Sequence, residues 1–288
     1  MYNEPKDLGS DIIDRRYIDL HTHTTCSDGQ LTPQGLIDLA ENVGLTALAI
    51  TDHDVVDGIK TARDHSKKVE VISGVELSAC EGTSDIHILG YFIDPTHKGL
   101  EVHLSEFRAH RYDRARQIVK KLNELGVDLS FENVLACRHD EKTSIGRPHI
   151  ARALLDAGLV KSTQMAFKLY LGNRASAYIP KSKISVLDAI QIIKDAGGLS
   201  VMAHPGSTRR DELIPQFAEA GLDGLEVFHR EHNEVAQRYY GQISEKNKLF
   251  KTGGSDFHGA RPNRPGLGSM KVEYHHLDLM RNRLKLIQ

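Results

Sequence analysis

No stretch of this chain approaches the roughly 20 consecutive apolar residues of a membrane span, so a membrane-spanning role is not expected. There is no excess of positive charge either. The 37 Lys and Arg residues stand against 39 Asp and Glu, a formal net charge of -2 with histidine neutral. That argues against a broad basic surface for long nucleic acid and leaves room only for a local basic pocket. Cysteine is scarce: Cys26, Cys80 and Cys137 lie far apart and are odd in number. They form neither a CxxC metal site nor a disulfide framework, and a reducing, cytoplasmic compartment is the natural reading. The opening MYNEPKDLGSDIIDRR is acidic and polar, so it does not read as a secretory signal but as a short arm ahead of the first strand. Internal repeats and low-complexity segments are missing as well. With 288 residues, 40% apolar and 26% charged, the chain fits one large domain, or one domain carrying a smaller insert. Against this ordinary background stand 16 histidines. Histidine moves protons and commonly ligates metals, so their positions matter.

The hydrophobic pattern alternates strands with helices. Strands are expected at Tyr17 to Leu20, Leu45 to Ile50, Val69 to Ile72 and Ser84 to Tyr91. The nearly continuous apolar run LTALAI suits a strand buried on both faces. Between them, Thr32-Pro33 opens a helix closed by Gly44, and Gly58 to His65 forms a second. The rhythm breaks at Asp94-Pro95. A long charged helix follows over about 97–125, then helices at Phe131 to Ala136, Pro148 to Asp156 and Thr163 to Leu171. The alternation resumes with helices at Val186 to Asp195, Glu212 to Ala220 and Ala236 to Asn247, interleaved with strands at Leu199 to Ala203, Leu222 to Phe228 and Phe250 to Gly253. A last helix starts near Leu277. About seven strand–helix units make an α/β fold close to a barrel, over 1–96 and 179–288, with a helical insert over 97–178.

The reactive residues follow the strands. His21 and His23 leave YIDL two residues apart, a spacing that puts both imidazoles on one side of an extended chain. Asp28 lies in the adjoining SDG turn. Asp52, His53 and Asp54 follow LTALAI, Glu76 sits in GVE, His87 in DIHILG and His204 in AHPG. Asp256 and His258 repeat the two-residue spacing in SDFH. Parallel α/β folds gather functional residues at the carboxyl ends of their strands, so one bowl of ligands accounts for all six clusters. Taken singly, each has a plainer reading. A lone His beside a strand is usually hydrogen-bonded structure, Asp28 a turn former, Asp54 and Asp57 helix caps, and Asp19 structural. Together they point to a site for divalent ions. Mixed nitrogen and oxygen ligands suit Zn, Mn or Fe rather than a soft thiolate site, and Cys26 is not counted among them. Phosphoester hydrolysis uses such a bowl, because the ions screen phosphate oxygens and acidify water.

The motifs DLHTHTTCSDG at 19–29, ITDHD at 50–54, GVE at 74–76, HILGY at 87–91, AHP at 203–205 and GSDFH at 254–258 stand in order along nearly the whole chain. In this the sequence resembles the PHP (polymerase and histidinol phosphatase) superfamily. GRPHIARAL at 146–154 is similar to its stand-alone bacterial branch of nucleotide phosphatases and exoribonucleases. The resemblance implies a distorted (β/α)7 TIM-like barrel with an inserted helical domain and two to three divalent ions (Mn, Fe or Zn). It implies one ion on His21, His23, Glu76 and Asp256, a second sharing Glu76 with His87 and His204, and a third on Asp28, His53 and His258. It also implies that the insert recognises substrate, with Arg111, Arg114, Arg147 and His149 as phosphate-binding candidates. Read without it, Arg111 and Arg114 form a solvated helix face, and Arg108, Arg116 and Lys120 are left as surface. In GLEVFHREHNE at 224–234, Glu226 would support the ligands, while the roles of His229 and His232 stay open.

The expected substrate is therefore a phosphorylated nucleotide or a short RNA. Histidinol-phosphate phosphatase is the runner-up, disfavoured because one phosphate hardly needs so many arginines. A polymerase-associated module is disfavoured by the missing polymerase domain, and a pure nucleic-acid-binding module by the lack of a binding motif. Nothing in the sequence points to an obligate protein partner.

Overall fold

The computed structural model describes residues 16–139, 143–180, 184–260 and 266–287, and the arm expected at the start of the chain lies, apart from Arg16, outside them. Seven strands form the main path: β1 (Tyr17–Asp19), β2 (Ala47–Ile50), β3 (Glu70–Glu81), β4 (Ser84–Tyr91), then β6 (Leu199–Met202), β7 (Gly224–His229) and β8 (Phe250–Gly254), with β5 (Ile184–Ser185) pairing to the side of β3. A short β9 (Val272–Glu273) adds antiparallel to β1. The path curls until its ends meet. Leu20 N donates to Gly253 O at 3.2 Å, His23 N to Phe257 O at 2.9 Å, and Thr22 pairs with Phe257 in parallel. The result is a nearly closed, barrel-shaped sheet. A Cβ on Gly254 would lie 2.3 Å from the His21 amide nitrogen, so only glycine permits this closure.

The pleat decides which side chains enter the barrel. Val75 and Leu77 join the apolar cluster under the helices, which sends Glu76 to the other face. Ile86 and Ile88 do the same for His87, and Leu225 and Val227 for Glu226. The outer face is covered by α1 (Pro33–Asn42), α2 (Gly58–His65), the first half of α3 (Lys98–Glu124), α7 (Val186–Asp195), α9 (Ile214–Glu219) and α10 (Glu234–Lys246). α11 (His275–Ile287) places Leu277 and Met280 in a third cluster with Ile18, Leu20 and Val272.

Two expectations about the strands need correcting. β3 does not end at Ile72 but runs to Glu81, so Glu76 lies inside a strand rather than after one. Gly74 looks like a breaker, yet its bare Cα lets the backbone pass close to Thr51 and the Ile50 carbonyl. β4 returns antiparallel to both β3 and β6, through a tight connection at Gly82 with φ +56°. His87 therefore reaches the carboxyl-end face from the first half of a strand running the other way. Smaller differences concern helix ends. Phe167–Leu171 closes the helix begun by α6 (Thr163–Ala166) as a π-turn, and Asp211–Leu213 precedes α9 as a 3-10 turn.

Between α3 and β5 the chain adds α4 (Phe131–Ala136), α5 (Arg147–Asp156) and α6. Their apolar side chains form a separate cluster running from Ala115 to Ala177. The long α3 joins the two cores: Leu100, Leu104 and Phe107 pack on the barrel, Ile118, Val119 and Leu122 on the insert. The loop before α5 rests on the loop after β1, with Ser144 N donating to Cys26 O at 3.0 Å and Thr143 Oγ1 to Thr25 O at 3.2 Å.

Candidate metal centre

At the carboxyl-end mouth of the barrel the histidines and carboxylates converge on one side chain. Glu76 is 1% exposed. Its Oε2 lies 3.0 Å from His53 Nδ1, 3.3 Å from His23 Nε2 and 3.4 Å from His21 Nε2. Its Oε1 lies 2.7 Å from His87 Nδ1 and 3.0 Å from His204 Nε2. On the far side of His23, Asp28 Oδ1 is 3.2 Å from His258 Nε2 and 4.0 Å from His53 Nε2. Asp256 Oδ1 faces His21 Nε2 at 3.6 Å and His23 Nε2 at 3.3 Å. All nine residues expected as ligands thus lie in one connected patch. His21, His23 and Glu76 form its floor, while His53, His87, His204 and His258 form a more open rim.

The chain around the site is shaped to aim these groups. Asp52 accepts from Thr24 N and Oγ1, each at 2.7 Å, and from Ser27 Oγ at 2.6 Å, so it moulds the loop that carries Asp28. Asp19 accepts from the amides of His21, Ser255 and Gly268, tying both His-bearing segments to the barrel floor. His204 and Asp256 sit at φ +29° and +49°, a backbone that side-chain-bearing residues rarely adopt and that clusters at functional sites. Glu226 accepts from the His204 amide at 2.7 Å and lies 2.9 Å from His21 Nδ1. A carboxylate behind a histidine fixes the ring and leaves Nε2 facing inward.

The electrostatics follow from this crowding. Burial alone would keep these carboxyls neutral. For Glu76 it is outweighed by His53, His87 and His21, for Asp28 by His258 and His53, and for Asp256 by His258 and His21, so all three stay well below the usual carboxylate range. Burial opposes protonation of His23, but Asp256 and Glu76 overcome it and raise the ring to about 10. In the same way Glu226, Glu76 and Asp256 hold His21 well above its ordinary value. Glu226 itself falls to about 2, burial being overcome by His21 and His229.

The donor set fits divalent ions. His21 Nε2, both His23 nitrogens, Asp28 Oδ1, His53 Nδ1, Glu76 Oε2 and His204 Nδ1 are buried without a hydrogen-bond partner. Such orphans are rare, and here all but His204 Nδ1 face another of the set. Three sets bring their ligand atoms within 4.8 Å: His23, Asp28, His53 and His258; His21, His23 and Glu76; and His53, Glu76 and His87. All are nitrogen and oxygen donors, and Cys26 is in none of them.

The residues proposed for substrate are placed differently from a solvated helix face. Arg114 is only 8% exposed, its Nε bonded to Ile179 O at 2.8 Å and one Nη buried without a partner. Burial and the nearby Arg147 and Arg111 lower its pKa to about 10. Arg147 bonds Leu171 O and Asn173 and lies 5.7 Å from the Tyr178 ring. Arg111 reaches the barrel, where Nε and an Nη grip Asp54 at 2.7 and 2.6 Å and the Nη also bonds Ser78 Oγ. Asp54 is therefore not a helix cap. It sits at φ +53°, holds Arg111 and accepts from Ser78 N. Asp57 does occupy the cap position of α2 but makes no capping hydrogen bond. His149 Nδ1 accepts from Gly146 N at 3.1 Å, which leaves the proton on Nε2, and burial lowers its pKa.

The two open histidines also separate. His232 takes the Gly206 amide on Nε2 and gives Nδ1 to Val227 O, a brace with both nitrogens used. His229 takes the Glu231 amide on Nδ1, so its Nε2 is a donor directed at Asp256 Oδ2, 3.7 Å away. Arg230 was not singled out in the sequence, yet it contacts Asp256 at 2.6 Å. Its place directly after β7, beside a histidine at the mouth of the barrel, was the available signal.

Residues 19–173 match the PHP domain. The chain is 35% identical to a 3',5'-nucleoside bisphosphate phosphatase of Chromobacterium violaceum, over 88% of this chain and 90% of the relative. It is 33% identical to the 5'-3' exoribonuclease Rnm of Escherichia coli, over 85% and 86%. A solved structure from Bifidobacterium adolescentis, assigned to the metal-dependent phosphoesterases, superimposes with a TM-score of 0.86 at 33% identity, covering 93% of this chain and 96% of the other.

Proposed function

Because this chain belongs to the PHP domain family, we propose that it is a metal-dependent phosphoesterase that removes a phosphate from nucleoside 3',5'-bisphosphates or related mononucleotides and trims short RNA from a 5' phosphate. The observation that carries this reading is the Glu76 carboxylate, with three imidazoles at one oxygen and two at the other. Two to three divalent ions, Mn, Fe or Zn, would be held by His21, His23, Asp28, His53, Glu76, His87, His204, Asp256 and His258, with Glu76 shared between two of them. Such ions supply charge neutralisation and a more acidic water. The protons that the carboxylates now hold on His21 and His23 would be released as ions enter, so binding should weaken in acid.

The chain's own groups do the rest. Glu226 keeps the His21 ring oriented. Arg114 and Arg147 would grip a second phosphate away from the floor, and the repulsion that lowers Arg114 favours an anion between them. Arg111 adds charge while its Nε stays on Asp54, and His149 would donate from Nε2. In this reading the segment 97–178 is the substrate-recognition layer, tied over the mouth by Arg111, Thr143 and Ser144. Among the described residues no helix is long and apolar enough to cross a membrane, and three scattered cysteines, odd in number, suit a cytoplasmic setting.

The test is a phosphate-release screen with added Mn, comparing a nucleoside 3',5'-bisphosphate, AMP, short 5'-phosphorylated RNA and histidinol phosphate. The bisphosphate or the RNA should give the highest kcat/KM. A clear preference for histidinol phosphate would overturn the substrate class while leaving the chemistry intact.

A further inference from the structure

Asp256 has two carboxylate oxygens, and the structure treats them unequally. Oδ1 faces the site, 3.3 Å from His23 Nε2 and 3.6 Å from His21 Nε2. Oδ2 faces away, onto Arg230 Nη2 at 2.6 Å and His229 Nε2 at 3.7 Å. The other arm of the guanidinium, Nη1, donates to the Asp256 backbone carbonyl at 2.7 Å. The same carbonyl lies 2.9 Å from His258 Nδ1, a contact that leaves His258 Nε2 turned toward Asp28. Arg230 thus bridges the side chain and the main chain of a residue held at φ +49°.

We propose that Arg230 is a positioning residue that reserves Oδ1 of Asp256 for a divalent ion and holds the Asp256–His258 segment in its strained backbone form. The proposal rests on the metal reading given above. Three features support it. A planar fork with two fixed, diverging donors holds the two oxygens in one set geometry, which a compact ammonium on a flexible stem does not impose. Arg230 engages Oδ2 at 2.6 Å and His229 Nε2 faces the same oxygen at 3.7 Å, so Oδ2 is turned to the protein and Oδ1 is the oxygen left for an ion. His229 is buried with an otherwise unpartnered Nε2 directed at the same oxygen, and its Nδ1 is already taken by the Glu231 amide. His229 is therefore a donor to the ligand rather than a ligand. His229 ends β7 and Arg230 directly follows it, so one strand end supplies both restraints.

Groups that orient a metal ligand commonly contribute about 10–100-fold to metal affinity. The test uses the full chain stripped of metal. Wild type, Arg230→Gln and Arg230→Lys are titrated with Mn, reading free Mn by electron paramagnetic resonance, and the melting temperature of each metal-free protein is recorded. One ion should bind about 10–100-fold more weakly in Arg230→Gln, with the other ions and the metal-free melting temperature unchanged. Arg230→Lys should restore only part of that affinity, because it replaces the charge but not the fork. Wild-type Mn binding by Arg230→Gln would overturn the proposal. So would full recovery in Arg230→Lys, or a weakening of every ion together with a lower metal-free melting temperature, which would mark Arg230 as a fold brace. If Arg230→Gln fails to fold, the Lys variant carries the test, and unchanged binding there refutes the fork. Failure of the wild type itself to bind Mn would count against the metal reading instead.

Discussion

Glu76 shows at the scale of a single residue why these groups act as a set. Each of its oxygens meets a different group of imidazoles, so Glu76→Gln removes one full charge from two sites at once. Turnover should be nearly abolished, with loss of at least one bound ion. Full activity at full metal content, measured by kinetics and elemental analysis, would refute the shared role. Arg114 gives a second residue-level prediction. Arg114→Ala should lower kcat/KM on a nucleoside bisphosphate by about ten-fold or more, the worth of one charged hydrogen bond, and far less on p-nitrophenyl phosphate. Equal losses on both compounds would assign Arg114 to the fold through its bond to Ile179. The nine candidate ligands were legible as a group, because each sits in a short motif with its own spacing, and the structure brings them into one patch. It could not reveal that Arg114 is buried. A helix in which every third or fourth residue is charged looks solvated until a second layer covers it. His276, outside the site, offers a pH test. Burial and the neighbouring His275 and Lys251 hold it at about 4, against about 6.5 when unfolded. The folded chain refuses a proton that the unfolded chain accepts, so this contribution is present above pH 6.5 and is lost as pH falls toward 4. Replacing His276 by Phe should flatten the loss of stability between pH 7 and 5 by roughly 1 kcal/mol. Denaturant melts of both proteins across that range check it.

Among the elements, β3 and β4 explain most of what sequence reading missed. A period-two pattern is the same whichever way a strand runs, so nothing in IHILGY announced that β4 turns back. Gly74 lies inside a long strand, where its missing side chain lets the chain pass close to β2. The helices were easier, because Thr32-Pro33, Asp94-Pro95 and Gly126 carry their own start and stop chemistry. The closure between β8 and β1 gives the prediction at this scale. Gly254→Ala would push a methyl group into the His21 backbone and against Asp19. It should destabilise the protein by about 3 kcal/mol or more, near the upper end for overpacking, and misplace His21. Urea melts of wild type and variant test it, and a near-neutral change would show that the seam can relax.

Taken whole, the molecule places two apolar cores on either side of a polar mouth, with α3 built into both. The order of motifs predicted the barrel. The contact of insert and mouth depended on Arg111 finding Asp54 and on loop carbonyls meeting Thr143 and Ser144, pairings between distant segments that no local pattern encodes. The mouth gathers imidazole nitrogens and carboxylate oxygens that are buried without hydrogen-bond partners, so ions that bind only the folded chain should raise its stability by mass action. The most direct test of this account is the initial rate of phosphate release from a nucleoside 3',5'-bisphosphate by chelator-stripped protein as Mn is added back. The account predicts essentially no turnover in the stripped protein and recovery that needs about two or more Mn per chain, as expected where a pair of metals clamps one reacting phosphate. Full turnover by protein shown to carry no metal would contradict it.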